Sequence, residues 1–260
     1  MLGPELSSLG FTFALIVVSW VVLVVCVLPS TPICLSIKEY SLTSYIEEPT
    51  ALLYHYVIPI TMLTVNISML FATALTEPGI LPPRRSTVKG MIMSHELKRY
   101  NKQAYCQTCN IIRPERSRHC RFCDCCISCL DHHCPWVGTC IGVRNYRYFL
   151  VFVISVVLSI AYFIGNVLWV LEEWWFHDSF DDLSSITPSR KAWYSILVMA
   201  GLFLYLTFFL FASSLLTFHC YLIQNGRTTA EFLTSRRSAA QVTPLQSREH
   251  SPRGDAIGAG

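Results

Sequence analysis

The stretch Leu130–Cys140, "LDHHCPWVGTC", sets Asp131, His132, His133 and Cys134 in four consecutive positions. Two imidazoles against a thiol are metal-ligand chemistry, yet they crowd more donors together than one ion can use. The block around them, "CQTCNIIRPERSRHCRFCDCCISCLDHHCPWVGTC" from Cys106 to Cys140, holds nine cysteines and three histidines, twelve donors in all. A structural zinc takes four tetrahedral ligands, usually Cys and His, so two ions leave roughly four donors over. Cys106-x-x-Cys109 and Cys120-x-x-Cys123 are knuckles whose thiolates converge on one ion. The block is short and poor in apolar core, so metal is expected to keep it folded. Spacing alone leaves the sharing of the other ligands open.

Outward from this block the chain turns apolar. Of 260 residues, 52% are apolar and 14% charged, against about a quarter charged in a soluble domain. Four stretches are long enough to cross a bilayer, which takes about 20 helical residues: Phe11–Leu28, Ala51–Leu75, Phe149–Leu171 and Ala192–Cys220. The flank of the first, residues 1–10, carries Glu5 and no Lys or Arg, so that stretch reads as a retained span rather than a signal peptide. The expected fold class is therefore an α-helical integral membrane protein of four transmembrane helices, with the Cys-rich domain (about 104–148) inside the loop 76–148 between the second and third.

Loop charge gives the orientation. Thr76–Tyr148 has twelve Lys/Arg against five Asp/Glu, and the tail, residues 221–260, has five against three. Pro29–Thr50 has Lys38 as its one basic residue against three acids, and Glu172–Lys191 has two basic residues against five acids. Basic loops stay cytosolic, which puts both termini and the Cys-rich loop in the cytosol. The formal charge of +3 then reflects topology and attraction to headgroups, not nucleic-acid binding. A reducing compartment also favours zinc over disulfides for nine clustered cysteines. Residues 234–260 are rich in Ser, Ala, Gly, Pro and Arg, a composition that does not build a core.

Three segments carry a family resemblance: "CQTC" through "DHHCPWVGTCIGVRNY", then "EPG" at Glu77–Gly79, then "TTAE" at Thr228–Glu231. They resemble the DHHC-type protein S-acyltransferases (palmitoyltransferases), with Glu where the family's Asp-Pro-Gly has Asp. Members often carry a further aromatic- and Asn-containing motif beyond the last of these, which the final 27 residues do not contain. The resemblance implies two interleaved zinc sites, one of Cys106, Cys109, His119 and Cys126, the other of Cys120, Cys123, His133 and Cys140. It leaves Cys125, Cys129, His132 and Cys134 without metal. It further implies that Cys134 is the nucleophile, that His132 is its base and acid, and that Asp131 orients the imidazole.

These residue types suit that chemistry. A thiol with an ordinary pKa of about 8.5 is largely un-ionised at neutral pH, and the thiolate is the nucleophile. An imidazole can take the proton, and a carboxylate on its other nitrogen fixes the tautomer and supports the positive charge. The co-substrate implied is a long-chain acyl-CoA, and the partners are membrane lipid and cytosolic-face proteins with an accessible Cys. Arg116, Arg118, Arg144 and Arg147 are candidates for the CoA phosphates, and Trp136 for the acyl chain or CoA. Thr229, grouped with them at the acyl-CoA site, is expected to hydrogen-bond near Asp131. Ser155, Ser159 and Tyr162 are candidate cavity residues because the third span carries few polar groups. The competing expectations are an inactive membrane scaffold that binds partners through the zinc domain, and a RING-like ligase, which would not explain an unliganded Cys134 beside His132 and Asp131. The compartment implied is endomembrane (ER or Golgi) or plasma membrane.

Overall fold

A computed structural model describes residues 5–23, 53–83, 105–176 and 188–236. Four helices carry the apolar stretches: α1 (Leu6–Val22), α2 (Ile58–Leu75, entered through one π-helical segment Leu53–Val57), α3 (Tyr146–Phe176) and α4 (Pro188–Gln224). Three contain windows long and apolar enough to cross a membrane, namely Ile58–Leu75, Tyr146–Glu172 and Val198–Gln224. As described, α1 is apolar but 17 residues long. The part of the expected first span beyond Leu23, and all of the first outer loop, lie outside the described residues.

The helices overrun the apolar stretches: α3 starts three residues before Phe149, and α4 runs four past Cys220. Hydropathy marks where lipid suits the side chains, whereas the backbone stays helical until its hydrogen bonds find other partners. The first helix likewise starts at Leu6, five residues ahead of Phe11, because Ser8 and Leu9 donate their amides to the Glu5 carbonyl. Packing runs α1 on α2, α2 on α3 and α3 on α4. Polar side chains buried between helices pair with one another, as interior polar groups in lipid must. The Asn66 amide donates to Ser159 Oγ at 2.8 Å, and the Tyr54 hydroxyl to Asn166 Oδ1 at 2.7 Å.

The Cys-rich block is a stack of short antiparallel strands: β1 (Ile80–Leu81), β2 (Tyr105–Cys106), β3 (Ile111–Ile112), β4 (Arg118–Cys120), β5 (Cys125–Ile127), β6 (His132–Cys134) and β7 (Thr139–Ile141). They form a sheet β1-β5-β4 and two hairpins, β2-β3 and β6-β7. Its fully buried aliphatics are Ile127, Val137 and Ile141, and each contributes roughly 1.5–3 kcal/mol. Ordering a chain costs about 1–2 kcal/mol per residue, so these three side chains offset a small part of the cost for this block. Ile141 also joins Leu9, Leu70, Cys134, Val137, Phe149 and Phe152 in one core that unites β6 and β7 with α1, α2 and α3.

A lock at the foot of α2 fixes the block to the helices. The Asn145 side chain, fully buried, donates to the Thr73 and Cys140 carbonyls and accepts from the Gly142 amide. A side-chain carbon at Gly142 would run into the Pro78 carbonyl and Ile127. Glu77 takes the Gly79 and Ile80 amides and pairs with Arg144. This is the work done by "EPG" at the end of α2.

Candidate active site and metal clusters

Strand geometry sorts the donors. Successive side chains on a strand face opposite ways, so neighbours along β4, β5 and β6 cannot serve the same site. On β4, His119 turns to one cluster and Cys120 to the other; β5 gives Cys126 to the first, opposite His119 in register. On β6, His133 faces the second cluster, opposite Cys140 on β7, while His132 and Cys134 share the other face. Alternation therefore separates two adjacent histidines without any sequence gap between them.

The two clusters are Cys106, Cys109, His119 and Cys126, and Cys120, Cys123, His133 and Cys140, each with its four donor atoms within 4.8 Å of one another. In the first, His119 Nδ1 lies 3.5, 3.4 and 3.9 Å from the sulfurs of Cys106, Cys109 and Cys126. In the second, His133 Nδ1 lies 3.8, 3.4 and 3.6 Å from those of Cys120, Cys123 and Cys140. Ordinary Zn–S and Zn–N bond lengths at tetrahedral angles put the S···N edge at about 3.6 Å, so both sets fit a tetrahedral ion. The charge chemistry fits too. Burial, and then the neighbouring sulfurs of Cys106 and Cys109, push the Cys126 thiol well up; burial and the sulfurs of Cys120 and Cys123 do the same to Cys140. A dication among such thiols removes the obstacle to their ionising. Cys125, facing away on β5, is pushed up to about 11, first by burial and then by the thiols of Cys123 and Cys120.

On the other face of β6, His132 Nδ1 lies 2.7 Å from Asp131 Oδ2. Asp131 is 3% exposed and fully engaged: Thr229 gives it both amide and hydroxyl, at 2.9 and 2.7 Å, and the Ala230 amide meets its carbonyl. Burial would raise the Asp131 carboxyl, yet the bonds from His132 and Thr229 outweigh it and hold the pKa below the usual carboxylate value. Burial likewise works against a charged His132, but hydrogen bonds to Asp131 and Cys134 prevail and raise its pKa to about 9. Thr229 opens a helix over 229–236 whose end is a reciprocal capping box. The Thr228 amide donates to Glu231 and the Glu231 amide to the Thr228 hydroxyl, at 2.8 and 3.2 Å.

The basic candidates have partners of their own. Arg116 clasps Glu231 through two nitrogens, at 2.7 and 3.0 Å, and donates to the Gly226 carbonyl. Arg144 is bound to Glu77, and Arg147 lies over the Tyr148 ring and donates to its hydroxyl. Arg118 stands on β4, where its charge reaches Glu231. Trp136 is 42% exposed and lines a cavity, its carbonyl accepting from the Thr12 hydroxyl of α1 at 2.6 Å. That cavity, about 440 Å³ and almost wholly apolar, runs from Cys134, His132 and Phe149 between α1, α2, α3 and α4 to Trp20, Leu23 and Phe163. Of the three polar candidates on α3, Ser159 lines it; Ser155 and Tyr162 instead bond to the carbonyls of Phe152 and Tyr54.

One neighbour escaped the sequence reading. His219 of α4, 1% exposed, bonds through Nδ1 to the Tyr146 hydroxyl at 3.1 Å and brings a ring nitrogen within 4.8 Å of both Asp131 and His132. Its signal was a single imidazole in a long apolar stretch, which by itself looks like a span end.

Fold and site together describe an integral membrane protein with a Cys/His metal-binding domain docked on its helices. The chain belongs to the DHHC palmitoyltransferase family, whose model matches residues 99–236. It is 31% identical, over 73% of its length, to the palmitoyltransferase erf2 of Schizosaccharomyces pombe, covering 59% of that protein. It is 29% identical, over 88% of its length, to the probable protein S-acyltransferase 6 of Arabidopsis thaliana, covering 56% of it. With the palmitoyltransferase ZDHHC5 of Bos taurus it shares 38% identity over 51% of this chain and 17% of the relative. It thus spans less than two thirds of the length of each of these relatives.

Proposed function

We propose that this protein transfers a long-chain acyl group, of the palmitoyl class, from acyl-CoA to cysteine thiols of proteins, through a thioester on Cys134. The observation that carries the reading is the arrangement of β6, where Cys134 and His132 share the face opposite the second cluster and open on the apolar cavity. Family membership supports the transferase class. Each Cys₃His set would hold one Zn²⁺, which with four protein ligands and no open position serves to fix the backbone.

His132, its Nδ1 proton held by Asp131, takes the proton of Cys134 at Nε2. The Cys134 sulfur adds to the thioester carbonyl carbon, and the bond from that carbon to the CoA sulfur breaks. The imidazolium returns its proton to the departing CoA thiolate. A substrate cysteine then repeats the exchange, and Cys134 is released as its thiol. One thioester replaces another at each step, so no nucleotide energy is needed. Asp131 stabilises the imidazolium in both halves, and Thr229 holds Asp131 in place.

The cavity accounts for the membrane setting. A C16 tail gains roughly 0.8 kcal/mol per buried CH₂, about 11–12 kcal/mol in all. Arg118 and Arg147 are better placed to meet CoA phosphates than Arg116 and Arg144, which are already tied to Glu231 and Glu77. The topology proposed is the four-span one, with residues 11–28, 51–75, 149–171 and 192–220 crossing and the metal domain in the cytosol of an endomembrane or plasma-membrane compartment. The basic loops support it, as does α1 lining the cavity alongside the three longer helices.

The purified 260-residue chain incubated with labelled palmitoyl-CoA should take up label that neutral hydroxylamine releases, and Cys134→Ser should take up none. An unlabelled, metal-replete wild type would favour the scaffold reading instead.

A further inference from the structure

His133 meets the sulfurs of its cluster through Nδ1. Its remaining proton must then sit on Nε2. That nitrogen is buried and has no hydrogen-bond partner among the described residues. A buried N–H left unmatched costs about 1–3 kcal/mol, and metal-bound imidazoles as a rule give this proton to a carboxylate or carbonyl. The charge facing it is Glu5 Oε1, 3.8 Å away, just beyond hydrogen-bonding range. The first cluster has the matching layout, with His119 Nε2 at 3.5 Å from Asp124 Oδ1. Asp124 is a local residue, 77% exposed; Glu5 comes from the start of α1, more than a hundred residues away in the chain.

Glu5 is built into this position. Its other carboxylate oxygen accepts the Ser8 hydroxyl at 3.1 Å, which ties the side chain to the first turn of α1. Its backbone carbonyl rests on Gly138, where an added side-chain carbon would sit 2.5 Å from it. Gly138 also has φ +70, so the turn after the nucleophile both needs glycine's conformation and lets α1 approach. One turn further on, Thr12 bonds to the Trp136 carbonyl.

We propose that Glu5 is the outer-sphere carboxylate of the second metal cluster, accepting the Nε2 proton of His133, and that this contact couples α1 to the metal domain. The helix that walls the acyl cavity is thereby held by the same imidazole that holds the nucleophile strand. The inference rests on the metal reading and not on the transferase reading.

The test uses the 260-residue chain in detergent, loaded with zinc and challenged with a chelator while metal per chain is counted. Removing an outer-sphere partner weakens metal affinity about 10- to 100-fold. Glu5→Ala should therefore lose one of two ions at least about tenfold faster than wild type, with the second ion unaffected. Glu5→Gln, which retains an acceptor oxygen, should fall between. Hydrogen exchange over residues 6–12 should rise in metal-loaded Glu5→Ala. Wild-type release kinetics in Glu5→Ala would overturn the proposal, and so would equal acceleration for both ions, the mark of general destabilisation. A wild type that never retains two ions would refute the metal assignment beneath it.

Discussion

The two Cys/His clusters are chemically alike, three thiols and one imidazole that turns Nδ1 to the sulfurs, but they sit in different mechanical settings. The first draws on β2, β4 and β5, and the carboxylate nearest its imidazole is the exposed Asp124. The second is threaded through β6 and β7, shares a strand with Cys134, and abuts the core made with α1, α2 and α3. Identical ligand sets thus serve different ends. One closes a knuckle, whereas the other sets the position of Cys134 relative to the apolar cavity between the helices.

Breaking each cluster separately should expose that asymmetry. Cys140→Ser, which removes a ligand in register with His133, should cost the second ion, melt the β6-β7 hairpin and abolish acyl loading. Metal analysis and the labelling assay read both. Cys106→Ser should cost the first ion and lower thermal stability, with a smaller loss of loading because β6 keeps its own cluster. Equal loss of loading in the two variants would erase the distinction.

Asp131→Asn keeps metal and fold but removes the charge beneath His132, and loading should fall on the order of 10²-fold or more, measured as a single-turnover rate. Thr229→Val removes one hydroxyl from that same carboxylate. Its cost should be about 1.5–3 kcal/mol, read as a slower loading rate with two ions still bound.

The smallest effect concerns the clasp between the metal domain and the tail. Glu231 has its pKa held low, chiefly by the hydrogen bond from Arg116. A depressed native pKa means that the clasp stabilises fully above the unfolded carboxylate value, about 4.3. That contribution disappears as pH falls through the lower native value. Arg116 is about half-exposed (47%), so the pair should contribute no more than about 1 kcal/mol. The melting-temperature gap between wild type and Glu231→Gln, which preserves the capping box, should narrow toward zero between about pH 5 and pH 3.

Much of this was legible in the residues. Apolar stretches gave the helices, because lipid imposes a length and composition no soluble segment needs. The resemblance grouped the cysteines and histidines into the two sets that the structure clusters, which spacing left open. What remained hidden was carried by strand parity and by long-range pairing. Nothing in "DHHC" announces that residue 133 faces away from residues 132 and 134; the short hairpin with β7 decides it. Arg116 looks like any base in a basic loop until the tail brings Glu231 to it. Glu5 and His219 lie far along the chain from the residues they approach, and each is a polar residue at the end of an apolar run that nothing local links to its partner.

The hairpin register has an arithmetic consequence. Inserting a single residue into the turn between Cys134 and Thr139 would slip β6 by one position against β7, turning His132 and Cys134 toward the cluster and His133 toward the cavity face. Inserting two would bring each ring back to its own side. The length of this segment is therefore constrained modulo two, a tighter rule than the identity of any one side chain flanking it.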